Sequence, residues 1–210
     1  MSDRKFEALI LSPQIVEQEQ LKPTTEVLNA HYLRWLDSLT GPQRVCLLRY
    51  KGMEYKNVNT YMRLGEVPGL TDAEVDDIDD SAATILSAFE SDLARLPAPV
   101  TVYRGLKRGY PSSDSKIGNV LSETAFMSVS LSLPAAKRIC LWENETYPST
   151  ILEISLPAGT PGIWLEPLWD RGEYEILLPP PVVLHISGIT LVSTTPLRRV
   201  VQCQRVQRPI

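Results

Sequence analysis

Three short stretches of this 210-residue chain carry side chains whose types and spacing could do chemistry together. The first is Arg171-Gly172-Glu173-Tyr174-Glu175-Ile176-Leu177-Leu178-Pro179. Two carboxylates two residues apart at the start of a strand share one face of a sheet, roughly 6–7 Å apart by strand rise. They repel each other unless positive groups or a ligand compensate. The second is Val102-Tyr103-Arg104-Gly105, where a guanidinium at the end of a buried strand could clamp a phosphate or carboxylate through two points. The third is Ala125-Phe126-Met127-Ser128-Val129-Ser130, whose two serines share a strand face and could orient carboxylates. Each stretch alone has a plainer reading: two solvated glutamates, a structural salt bridge, an ordinary half-buried strand.

These stretches need elements to position them. Leu28, Tyr32, Leu33, Trp35, Leu36 and Leu39 recur at helical spacing, and Thr40-Gly41-Pro42 ends that run. Pro42 suits the first turn of a second helix carrying Val45, Leu47 and Leu48. A third helix is predicted over Tyr55 to Leu64. A fourth is capped by Thr71, with Asp72 and Glu74 in its first turn and Val75, Ile78, Ala82, Ile85, Phe89 and Leu93 on one face. The run Asp76-Asp77-Asp79-Asp80 is then a solvated face. At Leu96-Pro97-Ala98-Pro99 the pattern changes. Strands are predicted at 100–104, 119–121, 125–130, 149–156, 162–165, 173–178, 182–186, 189–193 and 199–206, with one helix near 134–142. Helices first and strands after argue for an α+β fold with antiparallel sheets. Residues 1–25 read as an arm or delivery segment and 26–210 as one domain, helical over 26–97 and β-rich over 98–210.

Composition narrows the function classes. The formal net charge is -4, so no overall positive field favours nucleic acid. No apolar run reaches membrane-spanning length, and the first residues hold only the short apolar Ala8–Leu11. Cys46, Cys140 and Cys203 are odd in number and widely spaced, which suits core thiols in a reducing compartment. His31 and His185 lie far apart, and no C-x-x-C is present, so no metal centre is expected. The nucleophile elbow G-x-S-x-G, the phosphate loop G-x-x-x-x-G-K-[ST], H-E-x-x-H and the Rossmann glycine fingerprint are all absent.

Taken in order, Arg104, then Phe126-x-Ser128-x-Ser130, then Glu173-x-Glu175-x-Leu177-Leu178-Pro179 resemble the arginine–serine–glutamate class of mono-ADP-ribosyltransferases. Arg104 and Ser128 are 24 residues apart, and Ser130 and Glu173 are 43 apart, intervals that fit. Upstream, Tyr50-x-Gly52-x-x-Tyr55-x-x-Val58-Asn59-x-x-Met62-Arg63 resembles the helical segment preceding the catalytic core of such bacterial toxins and effectors. The resemblance covers roughly 40 to 190. One departure is Val129, which stands where the family has Thr.

The resemblance implies a helical layer packed on two roughly perpendicular antiparallel sheets that enclose an NAD cleft. It implies an enzyme transferring ADP-ribose from NAD, used as co-substrate without a metal, to a target protein, with release of nicotinamide. Arg104 would hold the dinucleotide beside Gly105 and Phe126. Ser128 would orient the catalytic carboxylate, and Ser130 would shape the nicotinamide side. Glu175 would contact the ribose 2′-hydroxyl, and Glu173 would engage the acceptor. Trp164, Trp169 and Asp170, in the loop from Ile163 to Gly172, would meet the target protein. Arg138 matches the phosphate–nicotinamide loop loosely. The E-x-E pair favours an arginine acceptor, with threonine or serine as alternatives. An NAD glycohydrolase and an inactive binding module stay open. Further expectations are a monomer that binds neither nucleic acid nor membrane, and a secreted or injected virulence effector reaching a host cytoplasm without a cleavable signal.

Overall fold

The computed structural model describes residues 13–107, 114–142, 148–194 and 196–206. Residues 1–12 of the predicted arm lie outside them. Helix α1 spans Pro13–Ser38 without a break at residue 25, Pro23 included. Its buried stripe is Leu28, Tyr32, Trp35 and Leu36, whereas Leu33 faces solvent. Two buried polar tips fix the helix: the Tyr32 hydroxyl donates to the Gly162 carbonyl (2.5 Å) and Trp35 Nε1 to that of Ala88 (3.2 Å). Buried Tyr and Trp need such partners.

Helix α2 (Gly41–Arg49) starts at Thr40, whose side chain forms a capping box with Gln43. Thr40 therefore opens a helix as well as following one. A π-helical turn, Tyr50–Glu54, then leads directly into α3 (Tyr55–Leu64), which ends on Gly65 at φ 75°. Helix α4 (Asp72–Ser87) carries the Thr71–Glu74 capping box. This helical layer packs over strands β1 (Val100–Lys107), β2 (Val120–Glu123), β3 (Met127–Ser130), β4 (Ser149–Leu156), β5 (Ile163–Trp164), β6 (Glu175–Leu178), β7 (Val182–Thr194) and β8 (Leu197–Arg205), with α5 (Leu133–Ile139) after β3. The α+β class is as expected.

The strands run β2-β7-β8-β4-β1-β3-β6-β5. All pairings are antiparallel except β4 with β8, a parallel neighbour that the expectation of antiparallel sheets did not include. The long chain excursion between them makes a parallel pairing possible. One registered pair, Tyr103 with Ser130, joins β1 to β3. The run thus divides into a five-stranded part and a three-stranded part, meeting at a seam. The two predicted strands over 182–193 are one strand, β7, with irregularities between Ile186 and Gly188 and between Leu191 and Ser193. One apolar core joins the helices to both parts of the sheet, from Trp35 and Ile85 to Ile154, Ile176 and Val201.

Candidate active site at the sheet seam

The seam brings the three stretches together. Ser130 is registered with Tyr103 on one side and with Glu175 on the other, so these three side chains share a face across β1, β3 and β6. Ser128 lies on that face one pleat away. Val129, between the serines, is buried in the core and faces away. A hydrophobic residue there is compatible with the serine face.

Arg104 is not at a strand end, because β1 continues to Lys107. It sits instead just past the last β1–β3 pair, and its Nη1 donates to the Ser128 carbonyl (2.8 Å). Gly105 is required for a different reason. A Cβ there would lie 2.1 Å from the Ala136 carbonyl oxygen of α5, so only glycine lets that helix close on β1.

A cavity of about 520 Å³ opens along the seam. Its walls include Arg104, Gly105, Ser128, Ser130 and Glu175 from the sheet, Glu173 from the loop before β6, and Tyr50, Lys51 and Asn59 from the helical layer. The two glutamates reach it differently from the sequence reading. Strand β6 begins only at Glu175, and Tyr174 has φ 51°, so strand alternation does not relate Glu173 to Glu175. Glu173 is held by its backbone: the Ser130 hydroxyl donates to the Glu173 carbonyl (2.6 Å) and accepts from the Ser132 N–H (2.9 Å). The Ser130 hydroxyl is thereby engaged in fixing the Glu173 segment as well as lining the cavity. The Glu173 carboxylate is half exposed, 3.7 Å from Arg171 Nε. Arg171 in turn lies over the Trp169 ring at 5.2 Å and donates to the Lys51 carbonyl (3.1 Å).

Several contributors were not read from the sequence as site residues. The Tyr50 phenol accepts from Asn59 Nδ2 (2.9 Å) and shares a hydrogen bond with Ser128. Burial pushes its pKa up to about 12, with the Glu175 charge adding, against the Asn59 and Ser128 hydrogen bonds and Arg104. Asn59 Oδ1 is buried with no hydrogen-bond partner. Lys51, its side chain fully buried, lies 3.1 Å from Glu166 Oε1 and 3.3 Å from Glu175 Oε2. Burial, then the neighbouring Asp170, raises Glu166, while Asp170 is lowered by Glu166 and by the Gly172 N–H. The Tyr50–Asn59 spacing was visible as a motif. Lys51 and Glu166 carried no signal, since a lone lysine and a lone glutamate read as solvated.

Three expected site residues lie elsewhere. Phe126 is fully buried behind the site, against Tyr50 (5.4 Å) and Phe89 (6.1 Å), and cannot touch a nucleotide. Trp164 is a core residue of β5 whose Nε1 donates to Asn29 Oδ1 (2.8 Å), so it cannot meet a target protein. Arg138 is exposed on α5, and its neighbour Ile139 lines the cavity in its place. Trp169 and Asp170 are exposed beside Arg171. Among the described residues no group of His, Cys, Asp and Glu is arranged to hold a metal, and no helix is long and apolar enough to cross a membrane.

The model of the ADP-ribosyltransferase exoenzyme family matches residues 28–207. The chain belongs to that family. This ADP-ribosyltransferase also shares its fold with solved bacterial toxins. Plx2a, an ADP-ribosyltransferase toxin from Paenibacillus larvae, is 20% identical with a TM-score of 0.70, over 91% of this chain and 97% of Plx2a. Vis toxin from Vibrio splendidus is 20% identical with a TM-score of 0.73, over 94% and 87%. BECa of a Clostridium perfringens binary enterotoxin, solved with NADH, is 20% identical with a TM-score of 0.68, over 89% of this chain and 48% of BECa. No curated protein sequence matches the ADP-ribosyltransferase significantly.

Proposed function

We propose that this chain transfers ADP-ribose from NAD to an arginine side chain of a target protein and releases nicotinamide. The observation that carries the reading is the meeting of Arg104, Ser128, Ser130, Glu173 and Glu175 on one cavity of about 520 Å³. The wall also fits a nucleotide substrate: buried Asn59 Oδ1 is an acceptor without a partner, suited to a ribose hydroxyl or a carboxamide. BECa was solved with NADH, which supports the same ligand class here.

In this scheme Arg104 holds the diphosphate region. Cleaving the bond between ribose C1′ and the nicotinamide nitrogen develops positive charge on the sugar, through an oxocarbenium-like transition state. The Glu175 carboxylate stabilises that charge and contacts the 2′-hydroxyl, in a site where a fixed charge acts strongly. Ser128 orients it from the same sheet face. Nicotinamide leaves as a neutral base with the bonding electrons. A guanidinium nitrogen of the acceptor attacks C1′, and Glu173 takes its proton as the new C–N bond forms. The half-exposed Glu173, lining the cavity beside Arg171, suits a group that meets an incoming protein. A Vis complex with agmatine, itself a guanidinium compound, supports arginine over a hydroxyl acceptor. The toxins of similar fold support a role as an effector acting in another cell.

The test is incubation of the protein with labelled NAD, a cell lysate and, separately, agmatine, followed by mass spectrometry. ADP-ribosyl-arginine and ADP-ribosyl-agmatine are expected. Label on serine or threonine would overturn the acceptor assignment, and nicotinamide release with no adduct would make the chain an NAD glycohydrolase.

A further inference from the structure

Resting on that reading, we infer that Lys51 and Glu166 are positioning residues for Glu175, forming with it a buried cluster that fixes the catalytic carboxylate. A buried ammonium is costly unless paired, and Lys51 lies between two carboxylates. The contacts close a triangle. Lys51 Nζ holds Glu175 Oε2, Glu166 Oε1 accepts from Nζ, and the same Oε1 accepts from the Glu175 backbone N–H (3.2 Å). Glu175 is therefore gripped by side chain and by backbone. With Oε2 on the ammonium, Oε1 is the oxygen left for the ribose.

The charge balance explains why two partners are needed. Lys51 alone would cancel the negative charge that the developing sugar cation requires. Glu166 offsets that ammonium from its other side, with Asp170 as a further acidic neighbour. Without Lys51, Glu166 and Glu175 face each other unpaired, and two carboxylates this close repel. Lys51 sits on the π-helical turn, which fixes its approach, and Arg171 secures that turn from the recognition loop by donating to the Lys51 carbonyl. The position of the catalytic carboxylate is thus tied to the loop beside the acceptor.

The inference is tested by nicotinamide release from NAD alone, with kcat and KM measured for wild type, Lys51→Gln, Glu166→Gln and the double variant. Each single substitution is expected to lower kcat by about tenfold to a hundredfold, the scale of a misplaced catalytic group, with KM for NAD moving less than about threefold. The double variant relieves the unpaired carboxylates, so its loss is expected to fall short of the product of the two single losses by about tenfold or more. Simple multiplication of the losses, or losses confined to KM, would overturn the inference while leaving the transferase reading intact. A wild type that releases no nicotinamide would overturn both. Should Lys51→Gln fail to fold, Glu166→Asp against Glu166→Gln decides: rescue of kcat by the shorter carboxylate is expected, and a Glu166→Gln kcat equal to wild type would overturn the inference.

Discussion

The two glutamates occupy different environments, and that difference divides their work. Glu175 begins a buried strand and is paired with a buried lysine. Glu173 is half exposed beside Arg171 and is placed by a carbonyl bond to Ser130. Glu173→Gln should therefore abolish transfer to arginine while sparing some NAD hydrolysis, measured in parallel by adduct mass spectrometry and nicotinamide release. Equal loss of both would contradict the division. The pair, the serines and Arg104 were legible through an order and spacing that resemble the family's motifs, although each stretch alone reads plainly. Phe126 and Trp164 were misread because an aromatic type beside a motif says nothing of which side of the sheet buries it. Lys51 and Glu166 stayed hidden for a related reason: their burial depends on partners 115 residues apart.

Strand and helix geometry opens the cavity. One registered pair between β1 and β3 lets the sheet split, and Gly105 lets α5 approach β1 at the same place. Gly105→Ala must push its Cβ into the Ala136 carbonyl, so α5 has to shift. Overpacking of this kind costs about 1–3 kcal/mol, and thermal unfolding should show a lowered Tm. An unchanged Tm would mean that α5 is free to give way. Strand period and the Thr71 cap were readable from the sequence, and β4 came out as the same eight residues. The failures have local causes. A left-handed Tyr174 breaks the alternation assumed for E-x-E, and the π-helical turn has no periodicity that a short window could detect.

Across the molecule, the helical layer is tied to the sheet at one edge by Arg63 of α3. Its Nε and Nη2 donate to the two oxygens of Glu123, the last residue of β2, at 2.9 and 2.8 Å. Burial alone would raise Glu123, but the Arg63 and Ala125 hydrogen bonds outweigh it and hold the carboxyl below its ordinary value. A depressed folded pKa adds stability above the unfolded value of 4.5, which is lost as pH falls through the depressed one. The Tm should accordingly fall in acid, and Arg63→Met should weaken that acid dependence when Tm is followed from neutral to acidic pH. Identical pH profiles for the two proteins would refute the link. At this scale the order of helices and strands revealed the α+β class. The parallel β4–β8 pairing did not show, because strand direction depends on long-range topology and leaves no mark on a strand's own residues.

Everything proposed for the cavity requires that NAD be cleaved against Glu175. The direct measurement is nicotinamide release at saturating NAD by wild type and by Glu175→Gln, with NAD binding and Tm followed on the same samples. Wild-type turnover with a fall of about 10²–10³-fold in the variant, at retained binding and folding, is the predicted result. A folded Glu175→Gln that releases nicotinamide as fast as wild type would contradict it.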